Sequence, residues 1–317
     1  MSAPDLLVIF LPVHNRGSLT AEFITHVEED IYLPMQTKYV VLDDGCTDDT
    51  ISNIQLICPK VEIIQLDGNA FWGGAINAVA TYIKQFRPTN TNRIFYLLCN
   101  DDIRFISAAA LNDAISKTQR STVVCARLVE TLDPTVRWTN LMIHKRIYSQ
   151  PPIYYNCKKG LFRPARQMEA PNVSSTYAML STSDPWLSFG SVPTSIPHYL
   201  SDYWLTYHFY KAGFDLVLPD DFLCLTFITS TRNLPTARPR SSIHELILEY
   251  KRAASRSSTS YAPAWITFYA QTIPTLPVAS AICKHLFKYF IGLFLIRIDL
   301  IAQHSKTALN SVFVWSK

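Results

Sequence analysis

Residues 97–105 read LLCNDDIRF: an apolar run, then Asn100, Asp101 and Asp102 in succession, then apolar residues again. A buried strand that ends on an amide and two carboxylates concentrates oxygen donors and negative charge at a sheet edge. Asn100 and Asp102 are two apart, so in an extended terminus their side chains leave the chain on the same side. Two such oxygen-bearing groups suit a hard divalent ion, Mg2+ or Mn2+, which is typically held by one or two carboxylates together with substrate phosphates. A solvated strand end is the plainer alternative.

The same pattern recurs along the first half. LLVIFLPV (6–13), YVVLDD (39–44), VEIIQL (61–66), RIFYLLC (93–99) and TVVCARLV (122–129) are continuous apolar runs, as expected of strands covered on both faces. Helices are predicted between them at about 19–30, 48–57, 74–86 and 107–117. The alternation predicts an α/β fold with a largely parallel sheet and right-handed crossovers. In such sheets ligands bind beyond the carboxyl ends of the strands. Every polar cluster here follows a strand: His14, Asn15 and Arg16; Asp43 and Asp44; the loop from Asp67 to Asn69; Asn100 to Asp102. Four clusters are therefore expected on one rim.

Two of these clusters carry further signals. In DDGCTDDT (43–50) a turn at Gly45 precedes a predicted helix N-cap at Thr47, with Asp48 and Asp49 in the first helical turn, where the macrodipole favours carboxylates. That leaves Asp43 and Asp44 to accept hydrogen bonds from a ribose or a pyrimidine imide. DGNAFWGGAIN (67–77) holds three glycines, Gly68, Gly73 and Gly74, with Asn77 on a starting helix. Close packing accounts for such glycines in many loops; at this rim a backbone approach to a diphosphate is the favoured expectation.

Composition sets the outer limits. The chain has 317 residues, 48% hydrophobic and 17% charged, enough for one large domain and an appendage. A formal charge of +4 is too mild to argue for nucleic acid, and much of the basic surplus falls after residue 230, at Arg232, Arg238, Arg240, Lys251, Arg252, Arg256, Lys284 and Lys288. Seven scattered cysteines without a Cys-x-x-Cys pair argue against a disulfide framework and a zinc ribbon, and read as reduced thiols of a cytoplasmic protein. The amino terminus lacks a basic region ahead of its apolar run, so it reads as a first strand and not a signal peptide.

The series LPVHNR, VLDDGCTDDT, GNAFWGGAIN, LLCNDDIRF and PHYLSDYWLTYHFYKAGF resembles the inverting family-2 glycosyltransferases of the nucleotide-diphospho-sugar (GT-A) fold, most of all the rhamnosyltransferase-like subgroup, over roughly residues 6 to 230. The resemblance implies a GT-A domain over 1–235, with a nucleotide-sugar-binding half (1–130) and an acceptor half (131–235), followed by a helical extension (236–317). It implies a dTDP- or UDP-sugar donor, with rhamnose among the sugars, and a saccharide or lipid-linked acceptor. Pro12, His14 and Asn15 would border the base, Asp43 and Asp44 would contact base or ribose, and the loop of Gly68, Asn69, Trp72, Gly73 and Asn77 would cover the diphosphate. Asn100, Asp101 and Asp102 would occupy the metal-binding Asp-x-Asp position, with Asn100 and Asp102 as ligands of Mg2+ or Mn2+ and Asn100 and Asp101 beside the nucleotide.

On the acceptor side, IPHYLSDYWLTYHFYKAGFDLVLPDD (196–221) predicts a loop, a helix from about Ser201 to Ala212 and then a strand. Asp202 caps that helix in the bland reading. The family's catalytic base has the matching position, so the resemblance implies Asp202 as the base of a single displacement with inversion. Its acidic neighbour in the family is Trp204 here, the family's usual arginine is His208, and STYAMLSTSDPW (175–186) lacks a glycine-rich acceptor loop.

The carboxyl-terminal part predicts an amphipathic helix within 236–258, with Leu246, Ile247 and Tyr250 on its apolar side. LPVASAICKHLFKYFIGLFLIRIDLIAQ (276–303) follows, apolar but interrupted by charge, and too short in its uncharged run to span a bilayer. It packs on the catalytic domain or lies in the interface of the cytoplasmic membrane face, where its bases would meet anionic lipid. Two other α/β classes fit poorly: a sugar-nucleotide pyrophosphorylase wants a glycine-rich first loop with Arg and Lys, and a dehydrogenase wants Gly-x-Gly-x-x-Gly after the first strand. A non-catalytic sugar-nucleotide-binding protein of the same fold is the alternative to the enzyme.

Overall fold

A computed structural model describes residues 4–86, 88, 91–130, 133–138, 141–143, 162–164, 172–226, 255–257 and 261–272. Its first half alternates as expected: β1 (Leu6–Val13), α1 (Gly17–Glu29), β2 (Gln36–Asp43), α2 (Thr50–Ile57), β3 (Glu62–Gln65), α3 (Phe71–Gln85), β4 (Ile94–Cys99), β5 (Ile103–Phe105), α4 (Ala108–Lys117) and β6 (Thr122–Cys125). Then come β7 (Arg127–Glu130), β8 (Asp133–Trp138), β9 (Leu141–Ile143), β10 (Phe162–Pro164), β11 (Ala178–Ser181), α5 (Ser183–Ser188), α6 (Ser201–Lys211), β12 (Asp215–Val217), β13 (Leu223–Thr226) and α7 (Ala262–Thr272).

The central sheet has seven strands in the order β12-β6-β11-β4-β1-β2-β3. Pairing is parallel between β3 and β2, β2 and β1, β1 and β4, and β12 and β6, while β11 runs antiparallel to both neighbours. The mostly parallel sheet with flanking helices is the GT-A architecture expected. A second sheet, β5-β13-β7-β8, lies beside it. Both sheets draw on continuous stretches of chain. Residues 122–129, expected as one strand, are two: the chain leaves the central sheet at Ala126, whose N–H donates to Ala178 O at 2.9 Å, and Arg127 N then donates to Phe222 O at 2.9 Å. The acidic turn 100–102 makes the same passage from β4 in one sheet to β5 in the other.

The apolar runs are continuous because both faces are covered. Along β1, Leu6, Val8 and Phe10 enter a core with α3 and α6, while Leu7, Ile9 and Leu11 enter the opposite core with α1. Ala264, Trp265 and Phe268 of α7 join the first of these cores, and Thr267 Oγ1 donates to Ser195 Oγ at 2.8 Å, so this part of the carboxyl-terminal extension packs on the main domain. Of the helix expected within 236–258 only residues 255–257 are described, and they form a turn; the apolar stretch 276–303 lies outside the described residues. Five cysteines, Cys46, Cys58, Cys99, Cys125 and Cys224, are free thiols among the described residues. The Asn172-Val173-Ser174 triplet is buried, Asn172 to 2% exposure.

Two local features fix the rim. The turns after β2 and β3 meet back to back: Gly45 (φ 75°) and Gly68 (φ 78°) are both left-handed, and a Cβ on Gly45 would lie 2.7 Å from Gly68 Cα. The ends of β1 and β4 are joined by charge. Arg16 Nη2 donates to Asp102 Oδ2 at 2.8 Å, and its Nη1 lies 3.1 Å from Asp101 Oδ1. Asp101 is fully buried at the start of α1, where Thr20 Oγ1 donates to its Oδ2 at 2.7 Å. Burial pushes the Asp101 carboxyl up to about 6, against the opposing pull of Arg16 and Thr20.

Two expectations follow. Gly45→Ala combines a left-handed Cβ penalty with a backbone overlap and is expected to lose about 2–4 kcal/mol. Its melting temperature should fall by roughly 5–10 °C, whereas Gly190→Ala, which meets nothing within 4 Å, should melt like the parent. Arg16→Leu leaves Asp101 buried without its cation. Because Arg16 is 32% exposed, the loss is expected at about 2–3 kcal/mol, below that of a fully buried pair. Denaturant titrations should give the full loss at pH 8, where Asp101 is ionised, and a smaller one at pH 5, where it is largely protonated and has no charge to compensate.

Candidate active site

Because β4, β1, β2 and β3 are parallel neighbours, the clusters that follow them share one edge. The contacts confirm it residue by residue. His14 Nδ1–H donates to Asp44 O at 2.7 Å, and Asn15, in the left-handed region at φ 53°, accepts from Thr47 N through its Oδ1 at 2.8 Å. Asn15 N approaches Cys46 Sγ at 3.2 Å. Arg16 closes the row onto Asp102, 86 residues later in the chain. His14 and Asn15 are exposed, while Pro12 is partly buried within β1.

The two carboxylates after β2 have separate local partners. Asp43 is buried and accepts from Cys46 N at 2.7 Å. Burial alone would raise its pKa, yet the N–H groups of Cys46 and Gly45, with the Cys46 thiol and Gln65, together hold it below the usual carboxylate value. Asp44 reaches across to the third loop, its Oδ1 accepting from Ala70 N at 2.9 Å and its Oδ2 from Phe71 N at 2.8 Å. An aspartate thereby caps α3 from another loop. The expected N-cap at Thr47 is corrected: α2 starts at Thr50 with Asp49 at its N-cap position, Thr50 N–H donates to Asp48 Oδ1 at 3.0 Å, and the Thr47 hydroxyl is turned to Asn15 Oδ1 at 3.4 Å.

In the 67–77 loop each of the three glycines has a packing reason. Gly68 opposes Gly45; a Cβ on Gly73 would lie 2.6 Å from Ile196 O; one on Gly74 would lie 2.5 Å from Ala70 Cβ. Gly73 N donates to Pro197 O at 2.8 Å, which welds α3 to the loop before α6. Helix α3 begins at Phe71, so Asn77 lies nearly two turns inside it and not at its start. Its amide exchanges two hydrogen bonds with the Val192 backbone, at 3.0 and 2.7 Å. Trp72 Nε1 donates to Thr176 Oγ1 at 3.1 Å, tying the same helix to the segment before β11. Asn69 N is held by Asp67 Oδ1 at 2.8 Å. Gly73 and Asn77 thus join the rim to the loop 191–200.

Asp202 lies in the first turn of α6, partly exposed, its Oδ1 accepting from Tyr203 N at 2.9 Å. Desolvation pushes its carboxyl up to about 7, against that N–H donor. The residue before the helix, Leu200, is left-handed at φ 74°, an uncommon state for a branched side chain that aims the helix start. His198 flanks it with Nδ1 buried and unpartnered, and burial holds the imidazole below its usual pKa. His208 bonds Trp204 O through Nδ1 at 2.8 Å.

For a divalent ion, Asn100 and Asp102 offer two hard-oxygen side chains and a single negative charge. No group of three or more His, Cys, Asp or Glu that could hold a metal occurs among the described residues. The set therefore fits an ion only in company with phosphate oxygens, as expected for Mg2+ or Mn2+ bound through a substrate. Arg16 and Thr20 were not among the expected site residues. A lone cation in an otherwise acidic row, four residues before a threonine on the following helix, was the available signal.

Comparison with known proteins then places the chain. The family model described as glycosyl transferase family 2 matches residues 8–183, more than half of the sequence. No curated protein sequence matches. Among solved structures, the mannosyltransferase PcManGT from Pyrobaculum calidifontis in complex with GDP-Man and Mn2+ is 11% identical, with 100% of this chain and 84% of that chain covered and a TM-score of 0.49. S. aureus TarS 1-349 in complex with UDP-GlcNAc is 13% identical, with 90% and 81% covered and a TM-score of 0.49. The extent of the family match, laid over a mostly parallel sheet whose rim gathers the expected motifs, makes this chain a member of glycosyl transferase family 2 and a glycosyltransferase.

Proposed function

We propose that the protein transfers a sugar from a dTDP- or UDP-sugar, with rhamnose among the candidate sugars, to a saccharide or lipid-linked acceptor, with inversion at the anomeric carbon. The observation that carries this reading is the set of contacts of Arg16 with Asp102, of His14 with Asp44 and of Asp44 with the start of α3, which draws four distant segments to one sheet edge.

In this reading Pro12, His14, Asn15 and Asp43 form the base and ribose side of the donor pocket. Asp44 acts on the donor chiefly by holding the 68–71 loop, since both of its oxygens already accept N–H groups. Asn100 and Asp102 would hold Mg2+ or Mn2+ together with diphosphate oxygens; such an ion, when bound, supplies Lewis-acid stabilisation of the charge that develops on the departing diphosphate. Asp202 accepts the proton of the acceptor hydroxyl as that oxygen attacks the anomeric carbon. The bond from that carbon to the diphosphate breaks, and its electron pair leaves with the diphosphate oxygen. A carboxyl poised near 7 is well matched to this work, because it is ionised enough to accept a proton and basic enough to hold one. A lipid-linked acceptor would be reached by peripheral contact of residues 276–303 with the cytoplasmic membrane face. Among the described residues no helix is long and apolar enough to cross a membrane.

Turnover of the cognate donor should rise with pH and level off above about 7, because protonated Asp202 cannot act as a base. Asp202→Asn should reduce kcat by about 10²- to 10⁴-fold and abolish that limb while donor affinity is retained. Donor binding with no turnover in either form would instead identify a non-catalytic binder. In thermal melts, UDP or dTDP should stabilise the protein strongly with Mn2+ and weakly in chelator, and Asp102→Asn should remove the difference. Equal stabilisation with and without the ion would count against Asn100 and Asp102 as its ligands.

A further inference from the structure

The amino end of α3 faces the proposed diphosphate position, but its donors are already committed. Ala70 N and Phe71 N go to Asp44, and Gly73 N goes to Pro197 O. Asp44 also brings a negative charge to this end of the cleft. On the opposite side Arg16 is bound to Asp101 and Asp102. A nucleoside diphosphate entering here would meet too little positive charge from these elements alone.

One cation does stand at this place. The guanidinium of Arg256, in the described turn 255–257, lies 5.2 Å from the centroid of the Phe71 ring. Its neighbours Ser255 and Ser257 meet each other through their hydroxyls at 3.0 Å, which closes the turn beneath it. Arg256 is exposed, and among the described residues it makes no ion pair. Phe71 marks the seam of the site: its N–H holds Asp44, and its ring lies 6.1 Å from that of His198 in the loop that leads to Asp202. Its backbone is left-handed at φ 52°, an uncommon state for an aromatic residue, and it is the first residue of α3. A guanidinium stacked on an aromatic face is held in orientation while the N–H donors along its edge remain available, in the fork that matches phosphate oxygens.

We propose that Arg256, carried by the carboxyl-terminal extension and seated on Phe71, binds the phosphates of the nucleoside-diphosphate donor at the α3 end of the cleft. The extension then completes the donor site instead of merely covering the domain. This inference rests on the donor reading proposed above and adds a ligand from outside the segment that the family model matches.

The test uses the full chain with Mn2+ and titrates UDP, dTDP and the corresponding nucleosides into wild type, Arg256→Gln, Arg256→Lys and Phe71→Leu. Arg256→Gln should weaken diphosphate binding by about tenfold or more and flatten its salt dependence. Nucleoside affinity, followed by ligand-observed NMR, should be unchanged. Arg256→Lys should recover part of the loss, because charge returns without the planar fork, and Phe71→Leu should fall between wild type and Arg256→Gln. Diphosphate affinity of Arg256→Gln within about twofold of wild type overturns the inference and leaves the donor reading intact, and so does a defect confined to the KM of the acceptor. Wild type that binds neither diphosphate overturns both.

Discussion

The Arg16 guanidinium bonded to Asp102 and paired with Asp101 is the interaction on which the architecture of the rim depends. Strand β4 delivers two carboxylates in succession to a point where the chain must turn out of one sheet and into another. A fully buried Asp101 at that corner is tolerable because a cation, a threonine hydroxyl and the start of α1 all face it. The same guanidinium reaches the more exposed Asp102, so the corner that fixes the fold also orients the carboxylate proposed above to meet a metal. The adjacent carboxylates differ in setting, Asp101 fully buried and Asp102 partly exposed.

The central strands and their helices were legible because the signal was redundant: long apolar runs, each ended by a polar cluster, each followed by a helical stretch. β1, which is matched from Leu6 to Val13, has seven of its eight residues buried. Legibility failed where tertiary partners decided the outcome. Nothing in TVVCARLV marks Ala126 as the residue at which one strand becomes two, because the break is imposed by Ala178 and Phe222 far along the chain. Thr47 has the ideal residue type for an N-cap, but its hydroxyl turns to Asn15 and α2 begins three residues later. Asn77 and Gly73 read as ligand-facing residues when the 67–77 loop is considered alone; their partners Val192 and Pro197 lie more than a hundred residues away.

Those same long-range partners join α3 to segments more than a hundred residues later in the chain. Gly73 on Pro197, Asn77 on Val192 and Trp72 on Thr176 fasten α3 to the segments that carry Asp202. The amino end of α6 is thereby referenced to the rim of β1, β2 and β4 through one backbone hydrogen bond, from Gly73, and two side-chain ones, from Asn77 and Trp72. For the proposed transfer this anchoring matters, since small misplacements of reacting groups are costly.

The antiparallel β11 has a bearing on how the chain is made. It lies between β4 and β6, so the hydrogen-bonding edge of β4 waits for residues 178–181 before the sheet closes. A ribosome will have released some eighty further residues after β4 by then. The amino-terminal half must survive that interval with an open, apolar strand edge, which makes it a natural client for chaperones and a poor candidate for expression as an isolated nucleotide-binding fragment.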